Sequence, residues 1–443
     1  MPNTRSKTSN PAKAPYRPRR KPAAARSNPR TTVQTYLPLP SLPPSTRPSP
    51  DLFIWGSSGE GQLGLGSNQH TLYRPRKHPW VEQEIARGAF GKRPGAGILT
   101  VASGGLHTYL LDENGTIWSC GVNDDGALGR TIKPPSEPAT SLDPISLQEA
   151  MPFGALSTLV EEDFSTVQLA AGDSSGAALN ENGELRVWGT FIDGSGGKSF
   201  SGDSDEEPLP VLIPEIRNEK IASISSGDNH FLALTVNGEV YSWGVDTFGR
   251  LGRTALSRRE MNPLSPNKVV YGPRRTRTVL IGTGSNTSFA VDSAGDVWAW
   301  GPNGRGQLGL GDALVGEIVA HPTRIDALTP AELERTSGVA NNRVVQICGG
   351  EFHTVFLTSA GHVYASGDCE DSQLGLPADH PVLTGHSTSK VKATSGKVGT
   401  PVLIPFPTAA KDDPVVSISC GLRFSMAVTR QGSLLSWGFG AQS

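Results

Sequence analysis

No stretch of this 443-residue chain is long and apolar enough to span a bilayer, and the N-terminus lacks the apolar core of a secretory leader. A soluble intracellular protein with no membrane partner is expected. Cysteine is scarce. Cys120, Cys348, Cys369 and Cys420 fall in separate stretches without Cys-x-x-Cys spacing, which argues against a zinc site or a disulfide framework and for buried or neutral thiols. Acidic side chains are absent from the first fifty residues, which hold ten Lys or Arg and much Pro, Ser, Thr and Ala. Such a segment cannot bury enough apolar surface to fold, so residues 1–50 read as a disordered basic arm. The whole chain carries −2, so with ten positive charges in the arm the remainder carries −12. That asymmetry suggests a polyanion for the arm and a basic partner for some surface of the body.

Bond-making chemistry also lacks its residues. Gly-Ser-Gly-Gly-Lys-Ser, from Gly194 to Ser199, lacks the first glycine of a phosphate loop at the required spacing, and no long helix pattern follows. His107, His230 and His353 stand in equivalent turns of different repeats, too far apart to share a metal, and read as hydrogen-bonding stabilisers of those turns. Neither a metal nor a cofactor is expected.

Glycine (52) and proline (35) are abundant, as many short strands joined by tight turns require. A phrase ending in Trp-Gly, or its equivalent, occurs at Trp55-Gly56, Cys120-Gly121, Trp188-Gly189, Trp243-Gly244, Trp300-Gly301, Ser366-Gly367 and Trp437-Gly438. Upstream of the phrase stands a hairpin turn such as Asn114-Gly115, Asn182-Gly183 or Asn237-Gly238, where glycine supplies positive φ. One small antiparallel sheet per repeat makes residues 51–443 an all-β propeller, with the large side chain before each glycine packed between blades. Seven such phrases predict seven blades. Glycine turns of the Gly-Gly-x-His kind number only six, beginning at Gly104, Ala171, Ser226, Thr283, Gly349 and Cys420. With no seventh turn before Ser443, the expectation is either that the sequence stops short of its closing strands or that Phe53-Ile54-Trp55 is a poorly paired edge. Thr329-Pro330-Ala331-Glu332 predicts a short capped helix, and residues 377–400 a loop.

The stretch Cys120 to Arg130, Gly-Gly-x-His-Thr from Gly104, Trp188 to Gly194, and Gly249 to Arg253 together resemble the regulator of chromosome condensation family. The resemblance covers about residues 51–443 and implies a seven-bladed propeller. The family's namesake is the guanine-nucleotide exchange factor of the small GTPase Ran, which works without bond chemistry. By resemblance, Phe191, Ile192, Asp193, Gly194, Ser195, Gly196, Gly197 and Lys198 match the hairpin wedge that presses on the GTPase. His107, Asp173 and Arg253 match positions on the GTPase-facing rim. Three rim positions depart from the family pattern: Asn229 replaces an acid with Asp228 beside it, Phe352 replaces a histidine with His353 beside it, and Gly59 replaces an acid with Glu60 beside it.

Arg17-Pro18-Arg19-Arg20-Lys21 is a compact basic cluster suited to nuclear import receptors, and the arm around it to neutralising DNA phosphates. Its bland alternative is a solvated charge run. Arg258-Arg259 resembles the family's arginine loop for the acidic patch of the nucleosome. These residues predict a nuclear, chromatin-associated exchange factor for Ran, with histones and DNA as further partners, supporting nucleocytoplasmic transport and spindle and nuclear assembly. The alternatives are a non-catalytic propeller that binds a protein partner, or a chromatin adaptor acting through the arm and Arg258-Arg259.

Overall fold

The computed structural model describes residues 36–65, 71–131, 151–193, 196–198, 207–253, 264–273, 276–384, 396–406 and 413–440. Each repeat follows one path: an inner strand, the glycine turn, a second strand, the hairpin turn, a third strand ending at the Trp-Gly position, and an outer strand. Blade 1 comprises Ile98–Ser103, His107–Asp112, Ile117–Gly121 and Met151–Ala155. Blade 2 comprises Thr166–Ala171, Ser175–Asn180, Leu185–Gly189 and Glu207–Val211, and blade 3 Ile221–Ser226, His230–Thr235, Val240–Gly244 and Asn267–Val269. Blade 4 comprises Thr278–Thr283, Ser288–Asp292, Val297–Pro302 and Ile318–Arg324, and blade 5 Val344–Gly349, His353–Thr358, Val363–Asp368 and Lys397–Leu403. Blade 6 has three strands, Val415–Cys420, Phe424–Thr429 and Leu434–Gly438. Each inner strand carries the same bulge near its start, as at Thr166/Gln168 and Val344/Gln346.

The protein is therefore a six-bladed propeller, which corrects the expected seven. The seventh Trp-Gly strand, Phe53–Ser57, pairs among the described residues only with Thr71–Lys77 and forms a two-stranded ribbon. Its glycine shows why it is not a blade. At Gly121, Gly189 and Gly367 φ is positive, and a Cβ would lie 2.2 Å from the carbonyl oxygen of Leu106, Ser174 or Phe352 in the glycine turn of the same blade. Gly56 has φ +106 but nothing within 4 Å of its Cβ position, because no glycine turn faces it. Phe53 and Trp55 are correspondingly 48% and 39% exposed, which matches the poorly paired edge.

The cores lie between blades. Phe191 and Trp243 share one core across blades 2 and 3, and Phe289 and Phe356 another across blades 4 and 5. Trp188, Trp243 and Trp300 are fully buried, as predicted. Trp188 Nε1 donates to Ala127 O (3.1 Å) in the preceding repeat, and Trp300 Nε1 to Arg250 O (2.8 Å), so each indole joins its blade to the one before.

The folded part starts before residue 51. Leu37 N donates to Val236 O (2.8 Å), and Leu37 and Leu42 pack into inter-blade cores. Arg47 forms a two-pronged pair with Glu113 (2.8 and 2.7 Å). This strap crosses blades 3, 2 and 1 at their hairpin turns, the face opposite the glycine turns; residues 1–35 of the arm lie outside the described residues. The predicted helix is Pro330–Ser337, capped by Thr329. The 377–400 segment is not all loop: Pro381–Thr384 is a helical turn and Lys397–Leu403 the outer strand of blade 5, with 385–395 outside the described residues.

Candidate functional site

The six glycine turns share four positions, whose second residues are Gly105, Asp173, Asp228, Ser285, Glu351 and Leu422. Backbone hydrogen bonds run from turn to turn: Gly105 N to Asp173 O (3.1 Å), Asp173 N to Asp228 O (2.8 Å), Asp228 N to Ser285 O (2.9 Å), Ser285 N to Gly350 O (3.1 Å) and Glu351 N to Leu422 O (2.9 Å). This chain of bonds lines the turns up around one rim. Asp173 is exposed and Asp228 half-buried, and among the described residues neither forms an ion pair. Both carboxyls sit above the ordinary range. Desolvation is the main cause, and for Asp228 the Ser285 hydroxyl and Arg250 oppose it while the charges of Asp173 and Glu351 add to it.

In five of the six turns the fourth residue is buried, Phe424 being the exception. His230 Nε2 lies 2.8 Å from Ser288 Oγ, and His353 Nε2 2.8 Å from Ser425 Oγ, each on the second strand of the next blade. These two histidines are expected from sequence to stabilise their own turns; their ring bonds run instead to the next blade. His107 differs. The residue matching Ser288 and Ser425 is Gly176, whose missing side chain makes room for the Trp188 indole, and His107 Nε2 is buried without a partner. Burial lowers the pKa of His107 to about 4 and that of His230 to about 3, so both rings are neutral at physiological pH.

Above blades 2 and 3 stands the wedge hairpin, Phe191–Asp193 paired with Gly196–Lys198 in the register Phe191 to Lys198 and Asp193 to Gly196. Phe191 is fully buried with its ring 5.8 Å from Phe231, anchoring the hairpin in the core. Asn229 Oδ1 accepts from Ile192 N at 2.8 Å, so the third position of the blade 3 turn holds the hairpin's root. Ile192 is exposed and borders a cavity of about 230 Å³ with Leu106, Val122, Ala127 and Asp173. A hairpin rooted on Asn229 and Phe231, beside two carboxylates that form no ion pair among the described residues, can press on a partner and orient a basic surface at once.

A family model described as RCC1-like domain matches residues 51–443. The chain belongs to that family. Protein pim1 of Schizosaccharomyces pombe is 32% identical over 408 residues, 90% of this chain and 67% of its own length. Guanine nucleotide exchange factor SRM1 of Saccharomyces cerevisiae is 30% identical over 411 residues, 88% of this chain and 78% of its own. Among solved structures, Prp20p from Saccharomyces cerevisiae, described with its binding to Gsp1p and histones, superposes with a TM-score of 0.71 at 29% identity, over 91% of this chain and 82% of that one.

Within this RCC1-like frame the residues singled out from sequence fall into three groups. Asp173, Asp228, Asn229 and Ile192 come together at the wedge, and Glu60 is exposed on the loop after the ribbon's first strand. His107 and His353 are each 1% exposed, His353 bonded to the next blade and His107 Nε2 without a partner. Arg253 also turns inward: its Nε donates to Ser242 Oγ (3.3 Å) and an Nη to Ser265 O (3.3 Å), as Arg130 grips Ser119 and Pro152 in blade 1. Phe352 is half-buried under the Arg305 guanidinium, 5.7 Å from its ring centre. Gly194, Ser195, Arg17, Arg19, Arg20, Lys21, Arg258 and Arg259 lie outside the described residues.

Sequence reasoning missed the charged cluster across blades 4 to 6. Arg305 lies 3.5 Å from Asp368 and 3.8 Å from Glu370, and Arg423 3.7 Å from Glu351 and 3.5 Å from Asp371. The signal was available, because Glu351 and Arg423 occupy the second and third turn positions that Asp173 and Asn229 occupy elsewhere.

Proposed function

We propose that this RCC1-like protein is a guanine-nucleotide exchange factor that promotes GDP release from the small GTPase Ran on chromatin, supporting nucleocytoplasmic transport and spindle and nuclear assembly. The wedge carries the reading: a hairpin rooted on Asn229 and anchored by Phe191 stands next to the unpaired carboxylates of Asp173 and Asp228. The similarity to SRM1, named as an exchange factor, and to Prp20p, described with Gsp1p and histones, supports it.

Exchange requires no nucleophile. The protein has only to bind the nucleotide-free GTPase more tightly than the loaded one, and each tenfold acceleration takes about 1.4 kcal/mol of that difference at the transition state for release. Asp173, Asp228 and Glu60 orient a basic surface of the GTPase, and the Phe191–Lys198 hairpin displaces elements at its nucleotide site. His107, His353 and Arg253 keep the rim in place, and Phe352 adds an aromatic contact. Arg17, Arg19, Arg20 and Lys21 bind DNA and import receptors, and Arg258 and Arg259 bind the acidic histone surface, so the protein acts in the nucleus.

The decisive experiment follows release of a fluorescent GDP from Ran with increasing amounts of this chain. Saturable acceleration is expected, and Asp173→Asn with Asp228→Asn should weaken it. No acceleration by a cooperatively folded sample would sink the exchange reading and leave a binding module.

A further inference from the structure

Two thiols 72 residues apart in sequence meet between blades 5 and 6. Cys348 and Cys420 sit at the ends of adjacent inner strands with their sulfurs 2.9 Å apart, yet they are not bonded as a disulfide. The fold builds a side-chain bridge at the same place elsewhere. Between blades 3 and 4 the corresponding residues are Ser225 and Thr283, whose hydroxyls are 2.8 Å apart. Hydroxyls can only hydrogen-bond there, whereas thiols can become covalent.

The surroundings hold the pair in register. Gln346 Nε2 donates to Ile418 O (2.8 Å) and Gln346 Oε1 accepts from Ile418 N (3.0 Å), fixing the two inner strands two residues before the sulfurs. A disulfide needs the sulfurs to close to about 2.05 Å, a movement of roughly 1 Å from where they stand. Both cysteines keep some exposed surface as residues, whereas Cys120 is buried. Burial pushes the Cys348 thiol up. At Cys420 burial also raises the pKa, but donation from the Cys348 thiol, together with His353 and the Ser425 hydroxyl, outweighs it and carries the group below the ordinary thiol range. At 2.9 Å one sulfur can attack an oxidant and the other can resolve the product, and Cys420 Sγ also lies 3.4 Å from the Cys348 carbonyl oxygen.

We propose that Cys348 and Cys420 form a peroxide-responsive site whose oxidation joins blades 5 and 6 by a disulfide. The Cys420 sulfur attacks one oxygen of hydrogen peroxide. The O–O bond breaks, an S–O bond forms, and the departing hydroxide takes a proton to leave as water. Cys348 then loses its proton and attacks the sulfenic sulfur of Cys420, forming the S–S bond and releasing the second oxygen as water. Two thiols and one peroxide give one disulfide and two waters, and a dithiol reductant reverses the change. The bridge ties three-stranded blade 6, whose last strand is an edge, to a four-stranded neighbour.

The test exposes the reduced full chain to stoichiometric hydrogen peroxide, quenches with an alkylating maleimide and maps the cysteines by mass spectrometry. The expected product is a dithiothreitol-sensitive peptide pair linking Cys348 to Cys420, with Cys120 and Cys369 alkylated. Cys348→Ser and Cys420→Ser should each stop at a dimedone-reactive sulfenic acid on the cysteine that remains, with no linked pair. Hydrogen exchange in Val415–Cys420 should slow on oxidation of the unmutated chain. Absence of the linked pair under conditions that oxidise Cys369 overturns the proposal, as does unchanged exchange in that strand once the pair has formed.

Discussion

The buried histidines of the glycine turns make the protein sensitive to acid by a calculable amount. In the unfolded chain both rings titrate near 6.5, whereas in the fold burial holds His107 at about 4 and His230 at about 3. A depressed folded pKa means that the unfolded chain takes up protons first. The stability carried by the neutral rings is therefore complete above pH 6.5 and is lost as pH falls toward 4 for His107 and 3 for His230. At pH 5 each ring accounts for about 2 kcal/mol, or about 4 kcal/mol together. Asp112 works the other way: burial raises it to about 6 against hydrogen bonds from Trp118, Thr116 and Asn114, so it gains protons in the fold and offsets about 1.4 kcal/mol at pH 5. A comparison of variants removes that term. Urea unfolding of the native chain and of a His107→Gln, His230→Gln double variant, each at pH 7.5 and 5, should show the native chain losing about 4 kcal/mol more on acidification. Equal losses would refute the assignment of buried neutral rings.

Gly367→Ala should destabilise by about 3 kcal/mol or more, because φ is +121 and the new Cβ meets Phe352 O at 2.2 Å, while Gly56→Ala should cost about 1 kcal/mol; comparable urea midpoints would contradict the blade count. Asn229→Ala should release the wedge root, seen as faster hydrogen exchange at Ile192 and a lower maximal rate of GDP release, and Asn229→Asp should keep the acceptor and most of the rate. Asp173→Asn and Asp228→Asn should each weaken the apparent affinity for Ran about tenfold in low salt, and the difference should shrink as salt is raised. Arg47→Ala should increase proteolysis ahead of residue 51, since it removes both prongs of the bond to Glu113.

The repeat was legible because each strand and turn is a local pattern, and the fold's family with it. The number of blades was not. Trp-Gly phrases mark third strands, and a blade also needs an inner strand and a glycine turn; counting the six turns instead of the seven phrases gives the observed architecture. The rim was read in part. Sequence marks a turn histidine but not its direction, and the histidines at the fourth position prove to be buried, while Asp173 in the second position is exposed. Asn229 looked like the loss of an acid, although its amide oxygen holds the hairpin through a bond spanning 37 residues. Long-range pairings of this kind, like that of Cys348 with Cys420, depend on which blades are neighbours and leave no mark in spacing.

Tension on the chain ahead of Tyr36 enters the propeller through the strap, and its anchors lie in series: Leu37 at blade 3, Leu42 between blades 2 and 1, and Arg47 at blade 1. A pull from that end peels them one at a time instead of shearing them together, and the first to yield is the one below the blade whose turn carries Asn229. Wherever the arm is tethered, the mechanical load falls first on the blade that supports the wedge.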